Sequence, residues 1–130
     1  MSGGQPRGFL QMCADRRFHS EVEEKFQEAT GLPATGYWIE ATAGGAPAID
    51  STKTADYAYA HGARQMGWAA HGSNCGGFPG VGDGQMRVSL EKTVKTRMER
   101  YPDAQHFQIF SVEKEDGSPE TVIGKVENNK

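Results

Sequence analysis

Cys13, Asp15 and Arg17 bring a thiol, a carboxylate and a guanidinium together within one five-residue stretch. Thiolates and carboxylates can ligate a metal ion or accept a proton, and the rigid fork of an arginine can hold a carboxylate in one orientation. A cation beside Asp15 also favours the ionised form of its carboxyl. Two interpretations stay open: a reactive thiol beside a functional Asp–Arg pair, or a solvated turn with a buried cysteine.

His71 and Cys75 form a second cluster in or next to a glycine-rich segment, residues 72–84, that also contains Pro79. Together with the remote thiolate of Cys13 they could give zinc three ligands, leaving a fourth position for water or for Asp15. Such an open position is typical of catalytic zinc sites, where the metal lowers the pKa of its water towards neutrality. The alternative is a loop with a buried cysteine and an incidental histidine.

The elements that would position these clusters alternate between strand and helix. Short apolar or β-rich runs predict strands at residues 8–13, 37–41, 68–71, 107–112 and 121–126. Helical spacing predicts helices at residues 20–30, 52–66 and 89–101. We expect a capping box of Ser20 and Glu23 to begin the first helix, and Gly31 to end it.

This alternation predicts an α/β fold: a mostly parallel sheet of about four strands, an antiparallel fifth strand, and helices on both faces. A length of 130 residues suits a single domain over residues 1–130. In such sheets functional residues lie beyond the carboxyl ends of neighbouring strands whose connections run in opposite directions. If the second and third strands flank the first, Cys13 and Cys75 meet at that point.

Charge and composition narrow the classes of partner. The net charge is -3, from 14 basic and 17 acidic residues, and no basic block stands out. We therefore expect no nucleic acid and no membrane as a partner. Residues 1–7 are small and polar, unlike a signal peptide, and two cysteines are too few for the disulfide framework of a secreted domain. A cytoplasmic location is the default expectation.

Taken together, the two clusters resemble the motifs of β-class carbonic anhydrases. A Cys-x-Asp-x-Arg motif follows the first strand, and a glycine-rich His/Cys/Gly-Gly loop follows the third. Residues 41–45 stand where that family has its Asn-Ala-Gly segment. The order of elements agrees over residues 8–126, so the resemblance implies a β-carbonic-anhydrase-like fold.

The same resemblance implies a role for each matching residue. Zinc would be the cofactor, held by Cys13, Cys75 and His71. Asp15 and Arg17 would be the catalytic residues: Asp15 as a switchable ligand or proton acceptor, and Arg17 as its partner. The implied reaction is the reversible hydration of carbon dioxide by a lyase.

The spacing of the second motif departs from the family pattern, which has two residues between histidine and cysteine where this chain has three. Aligned on Cys75, the ligand position falls on Gly72, and His71 is displaced by one residue. In an extended strand such a shift turns a side chain to the opposite face, so His71 reaches the metal only if the glycine-rich backbone compensates. His19, the histidine nearest to Cys13 in sequence, is the candidate substitute.

Three functions remain open at this point. The first is a zinc lyase that acts on carbon dioxide or a similar small electrophile, such as carbonyl sulfide or carbon disulfide. The second is a non-catalytic relative whose pocket binds a small anion or a partner protein. The third is a thiol redox protein in which Cys13 and Cys75 form a reversible disulfide. The expected partner is thus a small-molecule substrate or anion, and a homodimer stays an alternative.

Overall fold

The computed structural model of the chain describes residues 6–127, which form one five-stranded sheet with three α-helices. The strands are β1 (Gly8–Cys13), β2 (Tyr37–Thr42), β3 (Gln65–His71), β4 (Gln105–Glu113) and β5 (Pro119–Val126). The helices are α1 (His19–Thr30), α2 (Lys53–Ala60) and α3 (Asp83–Arg100), with a 3₁₀ turn at Ala46–Ala48. The strand order is β2-β1-β3-β4-β5, and only the β4–β5 pair is antiparallel. The predicted fold class is confirmed, and β1 lies between β2 and β3.

Alternate residues of β1 face opposite sides of the sheet. Phe9 and Cys13 belong to the apolar cluster that includes Leu90 of α3. Leu10 instead belongs to the cluster that includes Phe26 of α1. Helices therefore cover both faces, as the sequence predicted. None of the helices in the described part of the chain is long and apolar enough to cross a membrane.

The start of α1 differs from the prediction. Ser20 lies inside the helix instead of capping it, because α1 already begins at His19 with Phe18 at the N-cap. Within residues 6–127, no side-chain hydrogen bond caps this helix. Phe18 and Val22 are both buried one turn apart, so apolar packing, rather than a capping box, fixes where the helix begins. The predicted end is correct, because Gly31 adopts a left-handed φ of 75°.

The second predicted helix was too long, because α2 ends at Ala60 and residue 65 already belongs to β3. Gly62, at a φ of 103°, breaks the helix. Met66 then pairs with Phe9 of β1 and with His106 of β4, so β3 forms parallel ladders on both of its sides. Burial between two strands thus overrides the helical spacing of this segment.

The third predicted helix was too short, because α3 begins at Asp83 instead of residue 89. Met86 continues the buried stripe of Leu90 and Val94, each four residues apart. The Gln85 side chain accepts a hydrogen bond from the backbone N–H of Gly82 at 3.2 Å and so caps the helix. The glycine-rich loop that follows β3 is correspondingly shorter than predicted.

Gly45 provides a test of how tightly the 3₁₀ turn is packed against the sheet. Its φ is 66°, and a Cβ there would lie 2.5 Å from the carbonyl oxygen of Ala69 and 3.2 Å from the backbone nitrogen of Cys13. We expect Gly45→Ala to lower the free energy of unfolding by about 1–3 kcal/mol, measured by urea denaturation. The control Gly84→Ala, in α3 and free of such contacts among the described residues, should be neutral or slightly stabilising. Equal effects of both substitutions would contradict this packing.

Candidate metal centre

Three potential metal ligands converge at the carboxyl ends of β1 and β3. The Sγ atoms of Cys13 and Cys75 are 3.9 Å apart, and His71 Nε2 lies 3.2 Å from Cys13 Sγ. All three ligand atoms lie within 4.8 Å of one another, and all three residues are buried. Since β1 and β3 are neighbouring parallel strands, Cys13 and His71 end at the same edge of the sheet.

The backbone after β3 compensates for the extra residue between His71 and Cys75. Ser73 and Asn74 have φ angles of 55° and 63°, so two consecutive residues other than glycine adopt the left-handed conformation. Such residues are uncommon, and asparagine is one of the types that tolerate this region best. The left-handed pair turns the chain back towards the sheet, which brings Cys75 to the histidine. The side-chain reversal expected of an extended strand therefore does not take the imidazole away from the thiols.

His19 does not replace His71 in this cluster. Its Nε2 lies 3.1 Å from the carbonyl oxygen of Cys13, so its ring contacts the backbone of β1 and not the two thiols. Among the residues that the structure describes, the group of potential ligands consists of Cys13, His71 and Cys75.

Asp83, which the sequence analysis missed, holds the left-handed turn in place. Its Oδ1 accepts a hydrogen bond from the backbone N–H of Ser73 at 2.7 Å. The backbone N–H of Glu113 donates to Ser73 Oγ at 2.8 Å, so the turn is anchored to both α3 and β4. A Cβ on Gly72 would overlap the Asp83 carboxylate, which explains the glycine there. An acidic residue in the first turn of a helix directly after a glycine-rich loop was the available signal.

The orientation of the His71 ring suits a metal ligand. Its Nδ1–H donates to the carbonyl oxygen of Gly72 at 2.6 Å, which leaves Nε2 facing the thiols. The ring also packs on Phe18, with the two centroids 4.5 Å apart. Metal-bound histidines almost always donate their second ring nitrogen in this way, which fixes the tautomer and the ring plane.

The two thiols differ in acidity because of their surroundings. Burial alone would raise the pKa of Cys13, but a hydrogen bond with His71 and backbone hydrogen bonds with Asp15 and Gly44 outweigh burial and lower the pKa to about 7. Burial raises the pKa of Cys75, and the neighbouring Cys13 raises it further. Burial would lower the pKa of His71, but its bonds with Cys13 and Gly72 raise it. Without metal, the first thiolate to form is therefore that of Cys13.

Asp15 and Arg17 form a two-point ion pair at the rim of this cluster. Arg17 Nη2 and Nε donate to Asp15 Oδ2 at 2.7 and 3.0 Å, and the Arg17 backbone N–H donates to Oδ1 at 2.9 Å. These bonds hold the pKa of Asp15 below its ordinary value. Asp15 Oδ2 is also 3.5 Å from His71 Nε2. An ionised carboxylate is thus fixed beside the ligand cluster, with 23% of its side chain exposed to solvent.

The donor set and its distances fit zinc. Zinc–sulfur bonds of about 2.3 Å in a tetrahedral arrangement place two sulfurs about 3.8 Å apart, and a nitrogen about 3.6 Å from a sulfur. The observed sulfur–sulfur distance of 3.9 Å is close to the first value, and the nitrogen–sulfur distance of 3.2 Å is shorter than the second by about 0.4 Å. Two thiolates and one imidazole are ligands that zinc prefers, and three protein ligands leave one position open.

Comparison with known proteins supports the fold. No model of a protein family matches the chain, and the search of curated proteins found no match either. Among solved structures, a carbonic anhydrase from Glaciozyma antarctica matches with a TM-score of 0.62 and 16% sequence identity. The match covers 91% of this chain and 82% of that one. The chain therefore has a carbonic-anhydrase-like fold.

The acidity of the two thiols can be tested by titration. In metal-free protein, we expect thiolate ultraviolet absorbance to rise with a midpoint at about pH 7 from Cys13, and with a second midpoint at higher pH from Cys75. His71→Gln should move the first midpoint to higher pH, because it removes the hydrogen bond that favours the thiolate. Cys13→Ser should abolish the first step and Cys75→Ser should preserve it. A single step at the ordinary thiol pKa in the unsubstituted protein would contradict this arrangement.

The anchoring role of Asp83 predicts an effect on metal affinity. Asp83→Ala removes the acceptor for the Ser73 N–H, so the turn that carries Cys75 loses one of its two anchors. We expect zinc affinity to fall by about tenfold, the lower end of the range for residues that orient metal ligands, measured by competition with a chelating dye. Asp116→Ala, in the exposed β4–β5 turn, is the matched control and should leave the affinity unchanged. Equal affinities of both variants would show that the turn does not need Asp83.

Proposed function

We propose that this chain is a zinc-dependent lyase of the β-carbonic-anhydrase type, which hydrates carbon dioxide reversibly. The observation that carries the proposal is the convergence of Cys13, His71 and Cys75, with ligand atoms within 4.8 Å, on a fold similar to that of a carbonic anhydrase. An Asp–Arg pair at the rim of the same cluster supports a catalytic role over a closed structural site.

Cys13 Sγ, His71 Nε2 and Cys75 Sγ would hold the zinc. A zinc ion with three protein ligands supplies a Lewis acid that makes a water molecule nucleophilic near neutral pH. The two thiolates balance the charge of the divalent ion, and the pKa of Cys13 at about 7 means that this ligand gives up its proton readily. Gly72 keeps the imidazole oriented through its carbonyl oxygen.

Asp15 and Arg17 would position the nucleophile. The Arg17 fork engages both carboxylate oxygens of Asp15, so the carboxylate stays at the rim and leaves the fourth position open to water. The carboxylate of Asp15 is ionised at neutral pH, and Arg17 lowers its pKa further. Oδ2 is therefore suited to accept a hydrogen bond that orients the nucleophile. Because its pKa is low, this carboxylate is a weak base and takes up a proton poorly.

The side chains beside the ligands are mostly apolar, which suits a small, uncharged substrate. Cys13 and His71 line a cavity of about 10 Å³ together with Met12, Phe18 and Val22. A cavity of this size is at the lower limit for one water molecule, so it excludes large substrates and would have to widen to admit carbon dioxide. Carbon dioxide is linear and apolar, so an apolar wall beside the polar rim at Asp15 favours it over a charged substrate.

Zinc content and carbon dioxide hydration test the proposal together. We expect about one zinc per chain after purification without chelator, and hydration above background in a stopped-flow indicator assay. His71→Gln should lose both, whereas the control His19→Gln should keep both, because only His71 faces the thiols. Zinc without hydration would favour the non-catalytic alternative, and absence of zinc would overturn the proposal.

The Asp–Arg pair predicts a more selective effect. Arg17→Gln frees Asp15 from its two-point ion pair, so we expect kcat for carbon dioxide hydration to fall by at least about tenfold while zinc content stays unchanged. Asp15→Asn should lower kcat by about 100-fold, because the amide no longer accepts the hydrogen bond that orients the nucleophile. Arg16→Gln is the matched control for the neighbouring exposed arginine. A similar loss in Arg16→Gln and Arg17→Gln would mean that the effect is one of net charge.

A reversible disulfide is a second candidate function, favoured by the 3.9 Å between the Cys13 and Cys75 sulfurs. Hydrogen peroxide would take two electrons and both thiol protons from the pair, leaving a disulfide and two molecules of water. This chemistry competes with zinc for the same sulfurs. Mass spectrometry after peroxide treatment distinguishes the two: a disulfide that forms at equal rates with and without zinc would favour a redox role.

A further inference from the structure

A buried arginine lies apart from the metal cluster, on the inner face of α3. The buried residues of this helix are Met86, Leu90, Val94 and Arg97. Three of them are apolar, so the guanidinium of Arg97 occupies a position on the buried face where an apolar side chain is expected. Only 8% of Arg97 is exposed. An arginine stays charged at all physiological pH values, and a buried charge is unfavourable unless it is paired.

Few of the hydrogen-bond donors of this guanidinium have a partner among the described residues. Its Nη2 donates to the carbonyl oxygen of Ile49 at 2.8 Å, and the guanidinium carbon, Cζ, lies 5.7 Å from the ring centroid of Trp68. The Nε–H is buried and has no hydrogen-bond partner in the described part of the chain. Among the same residues no carboxylate forms an ion pair with Arg97. The charge of this buried cation is therefore not balanced by the described residues, and an anion that reaches the guanidinium would balance it.

A cleft adjoins this guanidinium, between α3 and the segment that follows the 3₁₀ turn. Its volume is about 240 Å³, and Arg97, Lys92, Asp50 and Pro47 are among its lining residues. Arg97 and Lys92 carry positive charge and Asp50 carries negative charge, so the cleft favours an anion, and a small one over a highly charged one. The hydroxyls of Thr93 and Thr96 donate back to the helix, which leaves Arg97 and Lys92 as the groups that would bind it.

We propose that this cleft is a binding site for a small oxyanion, held by the Arg97 guanidinium with the Lys92 ammonium at its mouth. The fork geometry of arginine matches the two oxygens of a carboxylate or of a phosphate group, and both chemistries fit the charges of the cleft. The cleft shares no residue with the Cys13–His71–Cys75 cluster. The site therefore does not depend on the proposed metal, and its test is independent of the proposed function.

The test is residue-resolved titration of the full chain with inorganic phosphate and, separately, with acetate, against chloride at matched ionic strength. Proton–nitrogen NMR reports the Arg97 Nε–H directly, and the metal is removed with a chelator so that the anion cannot bind there. We expect saturable shifts at Arg97 Nε and at the Asp50 amide. The probe that binds more tightly identifies the class of oxyanion. Shifts confined to Arg17 and its neighbours, or no saturable response to either probe, would overturn the proposal.

Charge variants at the mouth of the cleft give a second test that leaves the buried arginine intact. Lys92→Gln should weaken binding of the tighter probe, and Asp50→Asn should strengthen it, each by about two- to fivefold, as for exposed charge pairs. Arg97→Met should abolish binding, and Arg87→Met, on the same helix but outside the cleft, should leave it unchanged. If Arg97→Met unfolds, the test is the opposite change in affinity of the other two variants: weaker binding in Lys92→Gln and stronger binding in Asp50→Asn. Equal affinities in those two variants would contradict the site.

Discussion

Residues 8–11 of β1 pair in parallel with residues 65–68 of β3, so the last residues of both strands lie at the same end of the sheet, just beyond the paired segment. Cys13 is the last residue of β1, and His71 is the last residue of β3. A thiol and an imidazole from distant parts of the chain are therefore fixed side by side before any metal binds. The remaining ligand, Cys75, comes from a loop, so its position depends on how the backbone leaves β3. The parallel pairing sets where the site lies, and the turn after His71 decides whether it is complete.

The charges around this edge are arranged in two layers. In the buried layer, the lowered pKa of Cys13 and the raised pKa of His71 favour a thiolate beside a protonated imidazole, and a divalent cation would take the place of the Nε2 proton. In the outer layer, Arg17 neutralises Asp15 and keeps its carboxylate beside the cluster. A carboxylate left unpaired at this point could turn inward to the metal. The Arg17–Asp15 ion pair at the surface thus determines whether the carboxylate can coordinate a metal in the buried site.

Much of the fold could be predicted because the local signals agreed with the packing. The apolar run at β1 has the bounds that the structure gives, and Gly31 ends α1 as expected. The prediction failed where long-range contacts decide the outcome. Helical spacing continued to residue 66, but burial between β1 and β4 makes residues from Gln65 onwards a strand. Whether His71 lies beside the two thiols could not be predicted for the same reason. It depends on two left-handed residues and on Asp83, 10 residues after Ser73.

Zinc-edge X-ray absorption of the protein, purified without chelator, would report which atoms coordinate the metal. We propose that Cys13, Cys75 and His71 hold one zinc ion and leave one position for a light atom. We expect a coordination of two sulfurs, one imidazole nitrogen and one further oxygen, and one sulfur fewer in Cys75→Ser. Zinc bound only by nitrogen and oxygen, or an unchanged spectrum in Cys75→Ser, would contradict this proposal.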